Sequence, residues 1–429
     1  MTTQLHDAYS IPLEAIDVSD PQLYQDDAWY PYFERLRREA PVHYCRESRY
    51  GPYWSVSKYK DIMQVELNHG IYSSELGGIA VEDPPKGLER ESFIRMDPPK
   101  HDEQRKVVGP IVAPPNLAEM EATIRERTIR VLEGLPRNET FDWVERVSIE
   151  LTTMMLATLF DYPWEDRRRL TYWSDVAICN VRAPESPVHS EQEKFDELKK
   201  MAERMAELYN ERAKQPPKFD LLSMLAHGRA TQNMPLREFM GNLTLLIVGG
   251  NDTTRNSMTG GLYALSQHPH EYQKLRDNPA LIASLVPEII RYVTPVIHMR
   301  RTATHDADLG GQHIRAGDKV VMWYVSGNRD PDAIEDPDIS SSTGRGRAST
   351  CHSASASIAA SATGSPNCSC ASCGRNCCRA IRSSRCWRRR AARTRTLSTA
   401  CARCQSASRC TSAGSASATA GSRLGKFEL

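Results

Sequence analysis

Residues 243–261 read LTLLIVGGNDTTRNSMTGG, and this stretch decides how the rest of the chain is interpreted. It begins as an apolar helix and then places Gly249, Gly250, Asp252 and Thr253 in its middle. Glycine costs about 1 kcal/mol relative to alanine inside a helix, and Asp and Thr compete with the backbone for hydrogen bonds. Such violations concentrate at functional sites. One interpretation is a widened turn that admits a small ligand and a water, where an acid beside a hydroxyl relays protons. The other is a helix break at which Asp252 caps a second helix.

Two further pairs of side chains are spaced to share a helix face. Glu288 and Arg291 stand three residues apart in EIIR. Such a pair is ordinarily a surface ion pair, and its apolar neighbours favour a buried, structural one. His101 and Arg105 stand four residues apart after MDPPK, where the prolines predict a helix start near Lys100. Two such donors suit an anion such as a carboxylate, although a solvated charged face is the commoner meaning.

The remaining pattern up to Asp338 is mostly helical, with a small segregated sheet, which predicts an α+β fold that leans to all-α. Alternating residues predict a hairpin at 41–57 and strands within 310–326. A long irregular loop at 73–100 is the kind that is usually functional or mobile. An arginine pair such as Arg300 and Arg301, ahead of the strands, usually faces solvent. The predicted helical segments are 27–39, 58–68, most of 101–267, and 279–293.

The composition changes abruptly after Asp338. Residues 339–429 consist mainly of Ser, Ala, Arg, Gly, Thr and Cys, and they hold ten of the twelve cysteines. They also hold fifteen of the 55 Lys and Arg residues but one of the 54 acidic residues. Because so few apolar side chains are available to offset the entropy of ordering, we predict a disordered tail. Residues 1–338 are predicted to form the folded body.

The composition of residues 1–338 argues against several classes of protein. Its 40 basic and 53 acidic residues argue against nucleic-acid binding, although the basic tail could bind nucleic acid non-specifically. No apolar run approaches the roughly 18 residues of a membrane span, and the N-terminus has no signal-peptide pattern. The body cysteines, Cys45 and Cys179, fit a reducing compartment without a disulfide framework. We therefore expect a cytoplasmic protein.

Taken together, in this order and at these separations, the motifs resemble the haem-thiolate monooxygenases, the cytochrome P-450 superfamily. The resemblance covers essentially all of residues 20–338. The matching segments are the oxygen-activation motif Gly249–Thr254, the Glu-x-x-Arg helix Glu288–Arg291, the haem-propionate pair His101 and Arg105, Arg301 before Thr-Ala, and the segments Asn328–Pro331 and Asp336–Asp338.

The resemblance implies roles for these residues. Thr253 would hold the oxygen ligand and a water, and Asp252 would help to deliver protons. His101, Arg105 and Arg301 would neutralise the propionates of haem, iron protoporphyrin IX.

By the same resemblance, Gly249 and Gly250 belong to the cofactor-binding residues, and Glu288 and Arg291 would be structural. Electrons would come from NAD(P)H through a ferredoxin and its reductase. The loop at 73–95 and the helices near 166–215 would wall a channel for an apolar substrate. Within the superfamily, the GGNDTTRNS and MDPPKH segments resemble the bacterial branch that hydroxylates alkanes and fatty acids at the terminal carbon.

In the family, the segment that corresponds to Asp336–Asp338 is followed by Arg-Phe and then by a Phe-Gly-x-Gly-x-His-x-Cys loop. This chain lacks both. When the codons of residues 351–360 are read in a frame shifted by two bases, they are compatible with the peptide Ser-Phe-Gly-Phe-Gly-Ile-His-Arg-Cys. This peptide matches that loop. We therefore hypothesise a frameshift near Asp338 that leaves 339–429 out of frame. The cysteine ligand would fall between Ala359 and Ala360, and the chain as written would be inactive without it.

Three alternatives stay open. The chain could be a non-catalytic haem or small-molecule binder. The basic tail could associate with nucleic acid. The clustered cysteines at 368–378 could bind a soft metal such as zinc, although they lack the repeated CxxC spacing of zinc fingers.

Overall fold

Helices form most of the chain that the computed structural model describes, which comprises residues 7–84, 87, 91–338 and 340. A π-helical turn at Val144–Ile149 leads directly into α6. In chain order the α-helices are α1 Pro21–Gln25, α2 Tyr30–Glu39, α3 Tyr59–Glu66, α4 Lys100–Val108, α5 Pro114–Glu133, α6 Glu150–Leu159, α7 Arg168–Ile178, α8 Glu191–Ala213, α9 Leu221–His227, α10 Leu236–Gln267, α11 Pro269–Asp277, α12 Ile282–Val293 and α13 Tyr324–Gly327.

A five-stranded sheet has the strand order β1-β2-β7-β4-β3. β2 and β7 are parallel, and the other neighbours are antiparallel. β5 and β6 form a separate antiparallel ribbon. The strands are β1 Val42–Cys45, β2 Tyr53–Val56, β3 Tyr72–Ser73, β4 His298–Ala303, β5 Ala307–Leu309, β6 Gln312–Ile314 and β7 Lys319–Trp323.

The helix starts of α8 and α9 follow from side-chain caps after two proline-rich interruptions. The Ser190 hydroxyl accepts a hydrogen bond from the Glu193 amide at the start of α8, at 3.1 Å. Glu193 in turn accepts from the His189 amide at 2.8 Å. At α9, the Asp220 carboxylate accepts from the Ser223 amide at 2.8 Å. These caps satisfy amides that have no partner within their helices.

The long helix α10 joins the two main hydrophobic cores. It packs against α6, α7, α8 and α12. Leu243, Leu246 and Ile247 are buried completely in the helical core. Leu245 is half-buried and packs against both that core and the core between α3 and the sheet. The middle of α10 therefore lies where the helical and sheet-containing parts of the molecule meet.

The structure confirms the mainly helical fold and most of the predicted elements. The 41–57 hairpin appears as β1 and β2, and α4 begins at Lys100 as predicted. The expectation of solvent-facing arginines was wrong. Arg300 and Arg301 lie in β4, which pairs with β7, and they are 5% and 7% exposed. Both find acidic partners, Asp83 and Glu66, which offset the cost of burying charge.

Within the described ranges, no helix combines the length and the apolar character that crossing a bilayer requires. Residues 341–429, including Ala359 and Ala360, lie outside the described residues. The division of the chain into a body and a tail therefore stays a prediction.

Candidate active site on helix α10

Helix α10 continues without interruption through the Gly249–Thr254 motif. The Thr253 hydroxyl donates a hydrogen bond to the Gly249 carbonyl, 2.7 Å away and one turn earlier. This local bond explains how a threonine is accommodated inside the helix. Both expectations for the backbone were therefore wrong. The turn remains α-helical rather than widened, and Asp252 lies within a helix instead of capping a new one.

The carboxylate of Asp252 is held by neighbours on its own helix. Oδ1 accepts from Arg255 and Oδ2 accepts from the Asn256 amide at 3.1 Å. Arg255 also donates to Asp175 of α7 at 2.9 Å. Asp252 is 15% exposed at its side chain, whereas Asp175 is 40% exposed. The three residues thus form a charged chain that begins near solvent and ends in the Gly249–Thr254 motif.

Burial shifts the protonation equilibria of this chain. Desolvation raises the pKa of Asp252, and the Arg255 guanidinium offsets part of that rise. Burial lowers the pKa of Arg255, but Asp252 and Asp175 outweigh it and raise the pKa overall. Asp252 therefore takes up a proton more readily than an ordinary carboxylate, even with Arg255 beside it.

One face of α10 is only half-buried along this motif. Leu245, Val248, Asp252 and Asn256 recur at helical spacing on that face, and Thr253 lies beside them. Half-buried apolar side chains in the middle of a central helix indicate that the described residues do not fill this face completely. The face offers an apolar wall with a hydroxyl and an acid next to it.

The predicted propionate pair lies on α4, half-buried. His101 is 15% exposed at its side chain, and its Nδ1 lies 2.8 Å from Asp102 Oδ1. Its ring centroid lies 6.4 Å from that of Phe93, and the two rings are tilted by 53°. Arg105 is half-buried one turn later on the same helix. The pair is therefore neither a solvated surface face nor a closed internal ion pair.

Arg301 lies elsewhere and has a carboxylate partner of its own. Its Nη2 donates to Glu66 of α3 at 3.0 Å, and its Nη1 donates to the Arg300 carbonyl at 2.8 Å. Both side chains of the ion pair are buried, at 9% and 4% exposed. The structure thus places Arg301 in a buried salt bridge.

Glu288 and Arg291 form the buried, structural ion pair that their apolar surroundings favoured. Arg291 donates to both oxygens of Glu288, from Nε at 2.9 Å and from Nη2 at 2.7 Å. Its Nη1 donates to the carbonyls of Asn328 and Pro337 at 2.7 and 2.8 Å. This arginine therefore ties α12 to the segment that precedes Asp338.

Sequence reasoning missed the partners of the charged site residues. Asp175 and Glu66 carry no motif and lie 77 and 235 residues from Asp252 and Arg301 along the chain. A weak signal exists for Arg255, because its position three residues after Asp252 allows a helical ion pair. No comparable signal exists for the other two, since their contacts depend on how α3 and α7 pack.

The comparisons with known proteins decide the family. The cytochrome P450 family model matches residues 184–339. Linalool 8-monooxygenase of Pseudomonas putida is 36% identical over 340 residues, which cover 76% of this chain and 82% of that protein. The chain belongs to the cytochrome P450 family. Relatives in this family are named as monooxygenases, so the chain is an enzyme by family.

Solved P450 structures have the same fold. CYP153D17 from Sphingomonas sp. PAMC 26605 has a TM-score of 0.77 and 42% identity, covering 85% of this chain and 91% of that one. Cytochrome P450-153 from Novosphingobium aromaticivorans has a TM-score of 0.74 and 40% identity, covering 83% of this chain and 90% of that one.

The P450 family implies haem. The described residues fit both the flat face of this group and the edge that carries its carboxylates. The half-buried α10 face supplies an apolar wall, and His101 and Arg105 supply donors for its carboxylates. The described cysteines do not supply the thiolate. Burial raises the pKa of the Cys45 thiol to about 12, and Cys179 Sγ donates to the Val176 carbonyl. Among the described residues, no group of three or more His, Cys, Asp or Glu side chains is arranged to hold a metal.

Proposed function

We propose that residues 1–338 are the body of a monooxygenase that inserts one oxygen atom of O2 into a C–H bond of an apolar substrate. The proposed reaction is terminal hydroxylation of medium-chain alkanes or fatty acids. The observation that carries the proposal is the arrangement on α10. There, Thr253, whose hydroxyl donates to the Gly249 carbonyl, and the half-buried Asp252 border a half-buried apolar face.

Haem, when bound, supplies the oxygen-activating chemistry, while the protein supplies binding, orientation and electrostatics. His101 and Arg105 would hold its carboxylates from α4. Gly249 and Gly250 would form part of the α10 wall against its face, since neither carries a side chain that projects from the helix. Glu288 and Arg291 would act structurally, because they fix α12 to the segment that ends near Asp338.

Thr253 and Asp252 would divide the handling of protons. Because the Thr253 hydroxyl donates to Gly249, its oxygen remains able to accept a hydrogen bond from a water beside the helix. Asp252 would collect a proton from the solvent side, where Arg255 links it to the more exposed Asp175. Delivery would require Asp252 to leave Arg255, so we assign Arg255 the role of holding the acid until that exchange.

Apolar side chains support an apolar substrate. Half-buried apolar residues pack against both cores. Val181 and Val248 pack against the helical core, Ile79 in the loop after β3 packs against the sheet core, and Leu245 packs against both. The linalool-oxidising relative by name, and the motif resemblance to terminal hydroxylases, favour a hydroxylation. The proposed electron donors are NAD(P)H, a ferredoxin and its reductase, and the proposed compartment is the cytoplasm.

We further propose that the thiolate ligand is encoded in another reading frame, beyond a frameshift near Asp338. Pro337 supports this, since its carbonyl accepts hydrogen bonds from Arg291 and Arg329, both at 2.8 Å. Asp338 accepts from the Tyr30 hydroxyl at 2.7 Å. The chain therefore makes contacts with the rest of the fold up to Asp338. The P450 family match ends at residue 339.

Two experiments test the proposal. Sequencing the source DNA across codon 338 should show a base inserted or lost, and an intact frame would contradict the frameshift. A frame-restored protein should show a substrate-induced spin shift when titrated with alkanes and fatty acids. Haem incorporation without any shift across both series would instead favour a non-catalytic haem binder.

A further inference from the structure

The salt bridge between Glu66 and Arg301 joins three elements of the fold. Glu66 is the last residue of α3, and Arg301 lies in the middle of β4. One Glu66 oxygen accepts from Arg301 and the other accepts from the hydroxyl of Tyr324, at the start of α13. Glu66 is 4% exposed at its side chain, so this carboxylate lies in the interior.

Strand geometry places this pair on the side of the sheet that faces α10. Side chains alternate along a strand, so Met299, Arg301 and Ala303 share one face of β4. Met299 and Ala303 belong to the core against which Leu245 of α10 packs. Arg300 points to the other face and pairs with Asp83. Arg301 therefore lies on the haem side by the proposed function, already paired with an acid.

We propose that Glu66 is a positioning residue that neutralises the charge of Arg301 where this arginine would meet a carboxylate of haem. This rests on the proposed function of the site. The pair Glu66–Arg301 carries no net charge, whereas a lone Arg301 would add a buried cation. Arg301 would then orient a carboxylate by hydrogen bonding while contributing little net attraction.

Glu66 and Arg301 should therefore have opposite effects on the affinity for an anionic ligand. Replacing Arg301 alone leaves a buried Glu66 carboxylate that repels an anionic ligand. Replacing Glu66 alone leaves a buried cation that attracts one. Replacing both restores local neutrality. Charges a few ångströms apart inside a protein interact strongly enough to change an affinity by roughly tenfold or more.

The test is a hemin titration of the 429-residue chain and its variants, followed by Soret absorbance and tryptophan quenching. We expect E66Q to bind hemin at least about threefold more tightly and R301Q to bind roughly tenfold more weakly. The double variant E66Q/R301Q should return to within about threefold of the unsubstituted chain. A double variant as weak as R301Q, or an E66Q variant no tighter than the parent, would overturn the proposal.

The neighbouring pair on the opposite face of β4 provides the control. R300Q and D83N also break an ion pair of this strand, and they should leave hemin affinity unchanged.

Urea denaturation of the haem-free variants separates the possible failures. Cooperative unfolding without hemin uptake by any variant contradicts the proposed haem site and the proposal with it. Hemin uptake with equal affinities in all variants overturns the role of Glu66 alone. If R301Q does not fold, the affinities of E66Q and the double variant still decide the matter.

Discussion

At the residue scale, the fold depends on a few buried charges whose partners are complete. Arg291 is 1% exposed and Glu288 is 5% exposed, and the guanidinium reaches both a carboxylate and two backbone carbonyls. Removing one member of such a pair leaves an uncompensated charge in the interior. A buried titratable group without a charged partner is subject to the same cost, because ionising it places an uncompensated charge in the interior.

Replacing Glu288 by alanine should destabilise the protein by about 3–5 kcal/mol, because Arg291 then loses its buried carboxylate. Urea denaturation measures this change. Arg130 and Glu126 form a matched helical pair that is 66% exposed at both side chains, so R130A should cost less than about 1 kcal/mol. Equal effects of E288A and R130A would contradict a structural role for the buried pair.

His298 should make the protein sensitive to mild acid. Burial lowers its pKa from 6.5 to about 4, and its Nε2 accepts a hydrogen bond from the Val81 amide at 3.3 Å. Since the unfolded chain binds the proton first, stability is unaffected above about pH 6.5 and falls as the pH drops towards 4, by up to about 3 kcal/mol. H298N should flatten this part of the stability profile. A profile unchanged by H298N would exclude His298 as its cause.

At the scale of elements, α10 is fixed by close approaches of its backbone to neighbouring segments. A Cβ on Gly241 would lie 1.8 Å from the Glu91 carbonyl oxygen. Cβ atoms on Gly260 and Gly261 would lie 2.7 Å from the side chains of Val293 and Ile289 on α12. Glycine in α10 therefore permits contacts that outweigh its low helix propensity.

The G241A variant should lose about 1–3 kcal/mol of stability, because the backbone at Glu91 has to move away. Gly109, at the end of α4, has a helical φ of −52° and open space around its Cβ position. G109A is therefore the matched control and should leave stability within about 1 kcal/mol. The midpoint of urea unfolding measures both, and a neutral G241A would contradict the close contact.

The link between α7 and α10 should control the protonation of Asp252. In R255M, Asp252 loses the cation that offsets its burial, so its pKa should rise further. An acid with a raised pKa contributes stability below its unfolded pKa that is lost as the pH rises through the folded value. Unfolding of R255M should therefore show a steeper loss of stability from acid to neutral pH, and the R255M/D252N double variant should not. Identical profiles would disprove the coupling.

Much of the helical fold could be predicted, since periodicity, proline positions and capping residues are local. The predicted start of α4 at Lys100 and the 41–57 hairpin were confirmed on this basis. The continuity of α10 through Gly249–Thr254 could not be, because its packing against α6, α7 and α12 outweighs the low propensity of these residues. The burial of Arg301 depends on Glu66, a contact between distant segments that periodicity does not encode.

At the scale of the whole molecule, two arginines and a tyrosine hold residues 337 and 338 in place. The family relationship covers residues up to this point, and the residues expected to supply the thiolate would lie beyond it. The central claim is therefore that the body is the haem-binding part of a P450 whose ligand loop is encoded out of frame.

The absorption spectrum of the reduced carbon-monoxide complex tests this claim most directly, measured on the 429-residue chain and on a frame-restored protein after hemin reconstitution. We expect the thiolate-type Soret band from the frame-restored protein and none from the 429-residue chain. A thiolate-type band from the 429-residue chain, or its absence from a folded, haem-loaded, frame-restored protein, would contradict the claim.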